Sequence, residues 1–265
     1  LYEKSEKLGG KIAVGSIPKI KFDLRNYLAY LEKQVELCQE QYQLQVHKNT
    51  TVTAELLKEK VYDSVIFAYG TKEGREEANL ILGTDLLEHP EKAEGANNIV
   101  IVGGGVVGCE TAHWLANEYG KNVTVLEMLP HFMMGVCTAN RGHLLHYLEK
   151  SGVRLYNCTK VKALAKDGVY VEQNQSQTVP DPYNTWQPLL PPNIPNPMEK
   201  AIKEEIVEKK IPADLIVLAM GGKADETFFF EAGEEHLAKE IYNIGDSSRA
   251  GRVLEAVRGA YHLAV

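Results

Sequence analysis

Residues 98–127 constrain the fold more than any other part of the chain. Ile99-Val100-Ile101-Val102 is a continuous apolar run of strand length. It stops at Gly103-Gly104-Gly105-Val106-Val107-Gly108, which has GxGxxG spacing, and the residues beyond read as a helix to about Glu118. A second strand, 123–127, closes on Glu127, nineteen residues after Gly108. Each glycine has a physical task in such a unit. The first permits a tight turn, the second lets a pyrophosphate approach the backbone, and the third lets helix and strand pack closely. The helix N-terminus offers free N–H groups to the phosphates. A carboxylate at Glu127 accepts from ribose hydroxyls and repels a 2′-phosphate, so the site favours NAD(H) over NADP(H). GxGxxG alone is a weak signal; the strand before it, the helix after it and the acid beyond supply the context. The alternative is a structural glycine turn in an α/β domain that binds no nucleotide.

The rest of the chain repeats the strand–helix alternation. Leu24, Leu28, Leu31 and Val35 recur at helical spacing, which predicts a helix over 23–45. Residues 44–47 alternate like a short strand. The apolar run 61–70 predicts a strand buried on both faces and ending at Gly70. Residues 71–97 read as a polar linker with local structure, 138–151 as a helix, and 153–156 and 169–172 as strands. Seven of the eleven prolines fall within 180–197. Proline lacks the N–H donor and fixes φ, so this stretch reads as an extended surface excursion. A helix over 197–209, a buried strand over 214–219, a short strand over 241–244 and a helix over 253–265 complete the pattern. This is an α/β protein with parallel sheets.

Composition narrows the partners. The formal charge of −7 argues against nucleic acid and anionic membranes, which both require a basic face. No apolar run approaches the ~18–20 residues that cross a bilayer. The four cysteines are scattered, with no CxxC, so neither zinc nor a redox dithiol is indicated and a reducing cytoplasm is expected. The first residue is Leu1 and no signal peptide follows, so the chain reads as cut from something longer.

Both ends carry parts of a second nucleotide unit. Leu1-Tyr2-Glu3 reads as a strand end closed by an acid, without the glycine loop expected ~20 residues earlier. Asp246 follows Asn243-Ile244-Gly245 at a strand end beside a helix start, a placement that suits a ligand hydroxyl. A solvated terminal charge and a helix cap are the bland readings of Glu3 and Asp246.

Taken in order, these motifs carry a resemblance. The segment 1–10, the strand-to-glycine runs 65–70 and 215–221, and Ile244-Gly245-Asp246 resemble the signatures of two-dinucleotide-domain flavoproteins. With Asp23-Leu24-Arg25, Tyr30-Leu31-Glu32 and no CxxC, the chain is most similar to the C-terminal FAD/NAD(P)-binding region of the 2,4-dienoyl-CoA reductase, enoate reductase and NADH:flavin oxidoreductase family. The resemblance implies a Rossmann-like NAD domain, 96–222, inserted in an incomplete FAD domain, 1–95 and 223–265. It implies hydride transfer from NADH to FAD. FMN and a 4Fe-4S cluster are expected in an N-terminal TIM barrel of the same polypeptide, where an activated C=C bond is reduced.

The resemblance also assigns residues. Glu3 and Lys4 would lie at the FAD adenosine ribose, and Gly9, Gly10 and Lys11 near the middle of the cofactor. Ala68, Tyr69 and Gly70 would approach FAD from a strand end, although the family usually has threonine where this chain has Tyr69. Gly245 and Asp246 would meet the ribityl or pyrophosphate part, and Val253 the flavin ring. On the NAD side stand Gly103, Gly104, Gly105, Val106, Val107, Gly108 and Glu127. Glu110, read in the first helical turn, either approaches the nicotinamide or complements the helix dipole. Gly221, Gly222 and Lys223 would close over the NAD, or Lys223 is simply an exposed cation. His143 and His146 stand three apart on the helix expected over 138–151, but no HExxH or carboxylate set accompanies them, so no metal is expected. No catalytic residue is assigned, because nicotinamide-to-flavin transfer needs no protein acid or base. An open sheet edge in the FAD part is expected to pair and give a homo-oligomer. A disulfide reductase of the same fold and a non-catalytic NAD-binding module are the rival functions.

Overall fold

The computed structural model describes residues 1–72, 79–186, 188, 190, 194 and 196–265. The chain forms two compact units, Leu1–Gly74 with Gly222–Val265, and Arg75–Gly221. The first unit opens with α1 (Gly10–Gly15), α2 (Phe22–Tyr42), α3 (Ala54–Lys60), β1 (Ser64–Phe67) and β2 (Thr71–Lys72). The second unit follows as β3 (Leu80–Leu82), α4 (Gly83–Glu88), β4 (Asn98–Val102), α5 (Val106–Tyr119), β5 (Asn122–Leu126), α6 (Thr138–Lys150) and β6 (Arg154–Tyr156). It continues through β7 (Thr159–Ala165), β8 (Gly168–Asn174), β9 (Ile206–Pro212) and β10 (Leu215–Leu218). The chain then returns to the first unit with β11 (Lys223–Ala224), α7 (Thr227–Glu234), β12 (Glu240–Asn243) and α8 (Val253–Ala264).

The second unit is built on a parallel sheet of order β3-β10-β4-β5-β6. Its apolar runs are continuous because both faces are covered. Val100, Val102, Leu126 and Ile216 pack against Val169, Val171 and Ile211 of the antiparallel β7-β8-β9 layer. Alternation along the strands turns Ile99, Ile101 and Val125 the other way, and α5 packs on β4 and β5. The α/β fold class expected from the sequence is what forms.

Several local expectations do not hold. The linker expected over 71–97 instead supplies β3, which pairs with β10, and α4, whose Leu86 and Leu87 are buried. Residues 73–78 of that stretch lie outside the described residues. The helix expected over 197–209 is absent. Ile206–Pro212 is a strand, because Ile206, Val207 and Ile211 are β-branched and β8 offers seven residues to pair with. Asn174 sets the approach: its Nδ2 donates to the Lys203 carbonyl at 2.8 Å and its Oδ1 accepts from the Glu205 N–H at 3.1 Å. The proline-rich stretch lacks regular structure where described. It is nevertheless fastened, since the Tyr183 hydroxyl donates to Val153 O at 2.6 Å and accepts from Leu155 N at 3.2 Å.

In the first unit, the strand expected over 61–70 shortens to β1, which pairs in parallel with β12 in a two-stranded sheet. Phe67 is buried with Leu57, Ala232 and Leu237, whereas Ile66 and its cross-strand partner Tyr242 face outward and are exposed. Only one face of this sheet is covered, so the apolar run is not buried on both sides. The strand expected over 44–47 reduces to one parallel bridge between Tyr2 and His47. The helices expected over 23–45, 138–151 and 253–265 form within a few residues of those limits.

Leu145 of α6 is fully buried in the second unit. Leu145→Ala is expected to cost about 2–5 kcal/mol. Urea unfolding checks it as a lower midpoint at unchanged slope.

Candidate functional site

The turn after β4 is fixed by contacts that leave no room for a side chain. Gly103 sits at φ +114°, and a Cβ there would lie 2.4 Å from the Ala219 carbonyl oxygen at the end of β10. A Cβ on Gly108 would lie 2.0 Å from Gly103 O, so helix and turn touch backbone to backbone. One on Gly104 would meet the Phe132 ring at 2.4 Å and Glu127 Cβ at 2.7 Å. Gly105 differs from all three. It is exposed, its φ of −70° is open to any residue, and a Cβ there would meet nothing within 4 Å. The protein's own packing does not require glycine at this position. In Rossmann-type turns a glycine at this position is what lets a pyrophosphate approach the backbone. Gly105 is also the N-cap of α5, whose first-turn N–H groups face the same opening. Val106 is half-buried and Val107 exposed beside it.

Glu127 stands immediately after β5, and both of its oxygens are oriented by backbone. Oε2 accepts from Gly104 N–H at 2.8 Å and Oε1 from Leu129 N–H at 2.8 Å. Each oxygen keeps a lone pair for a hydroxyl donor. The loop glycine and the acid are thus one hydrogen-bonded piece.

Glu110 is half-buried and is the fifth residue of α5. It therefore lies beyond the first turn, correcting the sequence-based placement and weakening a dipole role, which fades after that turn. Cys109 is buried beneath the loop with its thiol donating to Gly104 O at 3.6 Å, and burial pushes its pKa well up. Gly221 is exposed after β10. Gly222, in the other unit, packs on Thr71, whose Oγ1 would be 2.3 Å from a Cβ at that position. Lys223 is exposed on β11, paired in register with Lys72.

Within the first unit, Lys11 donates to Thr71 Oγ1 and lies 3.7 Å from Asp246 Oδ2. Asp246 Oδ1 accepts from Gly251 N–H at 3.0 Å, closing the loop that leads into α8. Lys11 and Asp246, 235 positions apart in sequence, thus meet around Thr71, which sequence reasoning had passed over. Its adjacency to Gly70 was the available signal. Gly70 and Gly245 both precede residues of this cluster, and Tyr69 and Ala68 are exposed at the end of β1. Glu3 is turned onto its own chain, Oε1 accepting from Ser5 N–H at 2.8 Å, with Lys4 exposed beside it. Gly9 lies against Leu28, Gly10 begins α1, and Val253 begins α8. A cation, a hydroxyl and a carboxylate in one cluster can hold the phosphate and hydroxyl groups of a dinucleotide.

Among the described residues no three His, Cys, Asp or Glu side chains converge as metal ligands, and no helix is long and apolar enough to cross a membrane.

Comparison with known proteins adds three findings. A sequence model of the pyridine nucleotide-disulphide oxidoreductase family matches residues 4–249. The chain is 26% identical over 268 residues to bilirubin reductase of Mediterraneibacter gnavus and 25% identical over 272 residues to NADH oxidase of Thermoanaerobacter brockii. These alignments cover 98% and 100% of this chain but 36% of each relative. A 2-naphthoyl-CoA reductase in complex with 2-naphthoyl-CoA shares the fold, with a TM-score of 0.78, 24% identity, all of this chain covered and 35% of that one. The chain therefore spans about a third of the length of these proteins. The matches bear out the resemblance drawn from the motif order and its two-dinucleotide-domain fold.

Two glycine substitutions separate packing from binding. Gly108→Ala is expected to destabilise by on the order of 1–3 kcal/mol through overpacking. Gly105→Ala is expected to stay within ~0.5 kcal/mol of the parent in stability while losing nucleotide affinity. Thermal melts and NADH titration of both variants check this.

Proposed function

The chain belongs to the pyridine nucleotide-disulphide oxidoreductase family, and on that premise we propose that it is the NADH- and FAD-binding portion of a larger flavin oxidoreductase. The family implies FAD and NAD(P)H as cofactors. The Arg75–Gly221 unit handles NADH, and the unit made of the two chain ends handles FAD. Relative to boundaries at 96 and 222, this assigns β3 and α4 to the NADH side. An activated C=C substrate would be held elsewhere in the full protein, where FMN and a 4Fe-4S cluster would supply the redox chemistry in a TIM-barrel domain of the same polypeptide. The relatives' much greater length supports that wider assembly. The compartment is the cytoplasm.

The open face of Gly105 carries this reading, because it stands at the N-cap of α5 between Gly103 and Gly108, which packing does fix as glycines. The chain's own residues bind and orient. Gly105 and the first turn of α5 receive the pyrophosphate, and Glu127 takes ribose hydroxyls and disfavours a 2′-phosphate. Lys11, Thr71 and Asp246 supply a cation, a hydroxyl and an acceptor for the second dinucleotide. FAD, when bound, supplies the two-electron acceptor, so the protein contributes position and electrostatics. The disulfide-reductase alternative lacks a CxxC, and burial suppresses ionisation of the Cys109 thiol, the form that attacks a disulfide.

Calorimetric titration of the chain with NADH and with NADPH tests the proposal. Tighter NADH binding is expected, with Glu127→Ala removing most of the preference. Equal affinity for the two, or preference for NADPH, would overturn the role given to Glu127.

A further inference from the structure

Arg141 is a buried charge that the binding site does not explain. It is the fourth residue of α6 and only 2% exposed. Among the described residues its guanidinium finds carbonyls rather than a carboxylate: Nε donates to Phe132 O at 2.9 Å and Nη1 to Asn184 O at 3.0 Å. Burying a cation is costly unless hydrogen bonds satisfy it, and here backbone carbonyls do so.

The residues it holds lead to the glycine loop. Phe132 is fully buried, and its ring lies directly over Gly104, 2.4 Å from where a Cβ would stand. The next residue, Met133, is buried at φ +51°, a strained conformation for a long side chain. In that conformation its N–H donates to Gly104 O at 2.8 Å. Gly104 is therefore held at N by Glu127, at O by Met133 and on its face by Phe132. The same guanidinium also fastens Asn184 of the proline-rich stretch.

We propose that Arg141 is a positioning residue for the dinucleotide loop: it anchors the Phe132 carbonyl, so that Phe132 and Met133 keep Gly104 fixed and Gly105 open. Asn184 is the outer brace of the same strut. This rests on the reading of the loop as an NADH site.

The test is a double-mutant cycle on the full chain, with NADH affinity by calorimetry and thermal midpoints measured in parallel. Arg141→Met and Phe132→Leu are each expected to weaken NADH binding by about 10-fold, ~1.4 kcal/mol. The double variant is expected to lose no more than the worse single one, because both act through one contact. Arg141→Lys keeps the charge but lacks the rigid fork that fixes the guanidinium's donor directions, so it is expected to recover the thermal midpoint more fully than the NADH affinity. This variant carries the test if Arg141→Met does not fold, and NADH affinity recovered in step with the midpoint would then overturn the proposal. Arg141→Met binding NADH within twofold of the parent, or losses that multiply in the double variant, would also overturn it. If the parent chain itself binds no NADH, the failure lies with the site assignment and both readings fall.

Discussion

Backbone contact between Gly108 and Gly103 is the constraint around which the second unit is arranged. Any side chain on Gly108 would strike the carbonyl of Gly103, and any on Gly103 would strike Ala219. Three elements, the ends of β4 and β10 and the start of α5, therefore converge within a van der Waals radius of one another. That convergence lies at the carboxyl ends of parallel strands, where open α/β sheets bind ligands. The buried runs of β4 and β5 hold the turn in place. Glu127 at the end of β5 reaches it through a single hydrogen bond to Gly104. Loop, acid and helix start are parts of one rigid corner.

How legible each part was follows from the range of the interactions that make it. The loop and Glu127 could be read because strand, turn and helix are local and each imposes its own residue types. The β7-β8-β9 layer was only partly read. Ile206–Pro212 carries as many charges as apolar residues, and its strand state comes from pairing with β8 across the proline-rich stretch. Leu80–Leu82 is too short to announce itself and becomes a strand only beside β10. The roles of Phe132 and Arg141 could not be read at all. An apolar residue after a strand and an arginine on a helix are ordinary in sequence. Their meaning lies in a carbonyl and a ring face brought together by tertiary packing.

The first unit shows the opposite balance. Its motifs were legible as a resemblance, yet the structure that carries them is thin. β1 and β12 form only a two-stranded sheet, α2 and α8 bury no residue, and Ile66 and Tyr242 are exposed on one sheet face. What the fold does deliver there is the meeting of Lys11, Thr71 and Asp246. An insertion of about 150 residues separates the last two, so only the closing of the sheet by β12 and the pairing of β2 with β11 brings them together.

Under the proposed function the two units share one chemical character. A hydride passed between two bound cofactors needs neither a proton relay nor a covalent intermediate on the protein. It needs the two cofactors held still and at the right separation, since small misplacement is enough to slow a reaction between bound groups. The features that stand out are accordingly all mechanical. Gly105 leaves the loop open, a carboxylate is oriented by two N–H groups, and a buried arginine spends its charge on carbonyls. Burial keeps the thiols of Cys109 and Cys158 protonated. Of the described left-handed non-glycine residues, Met133 is the one whose N–H is bonded to the loop, at Gly104 O.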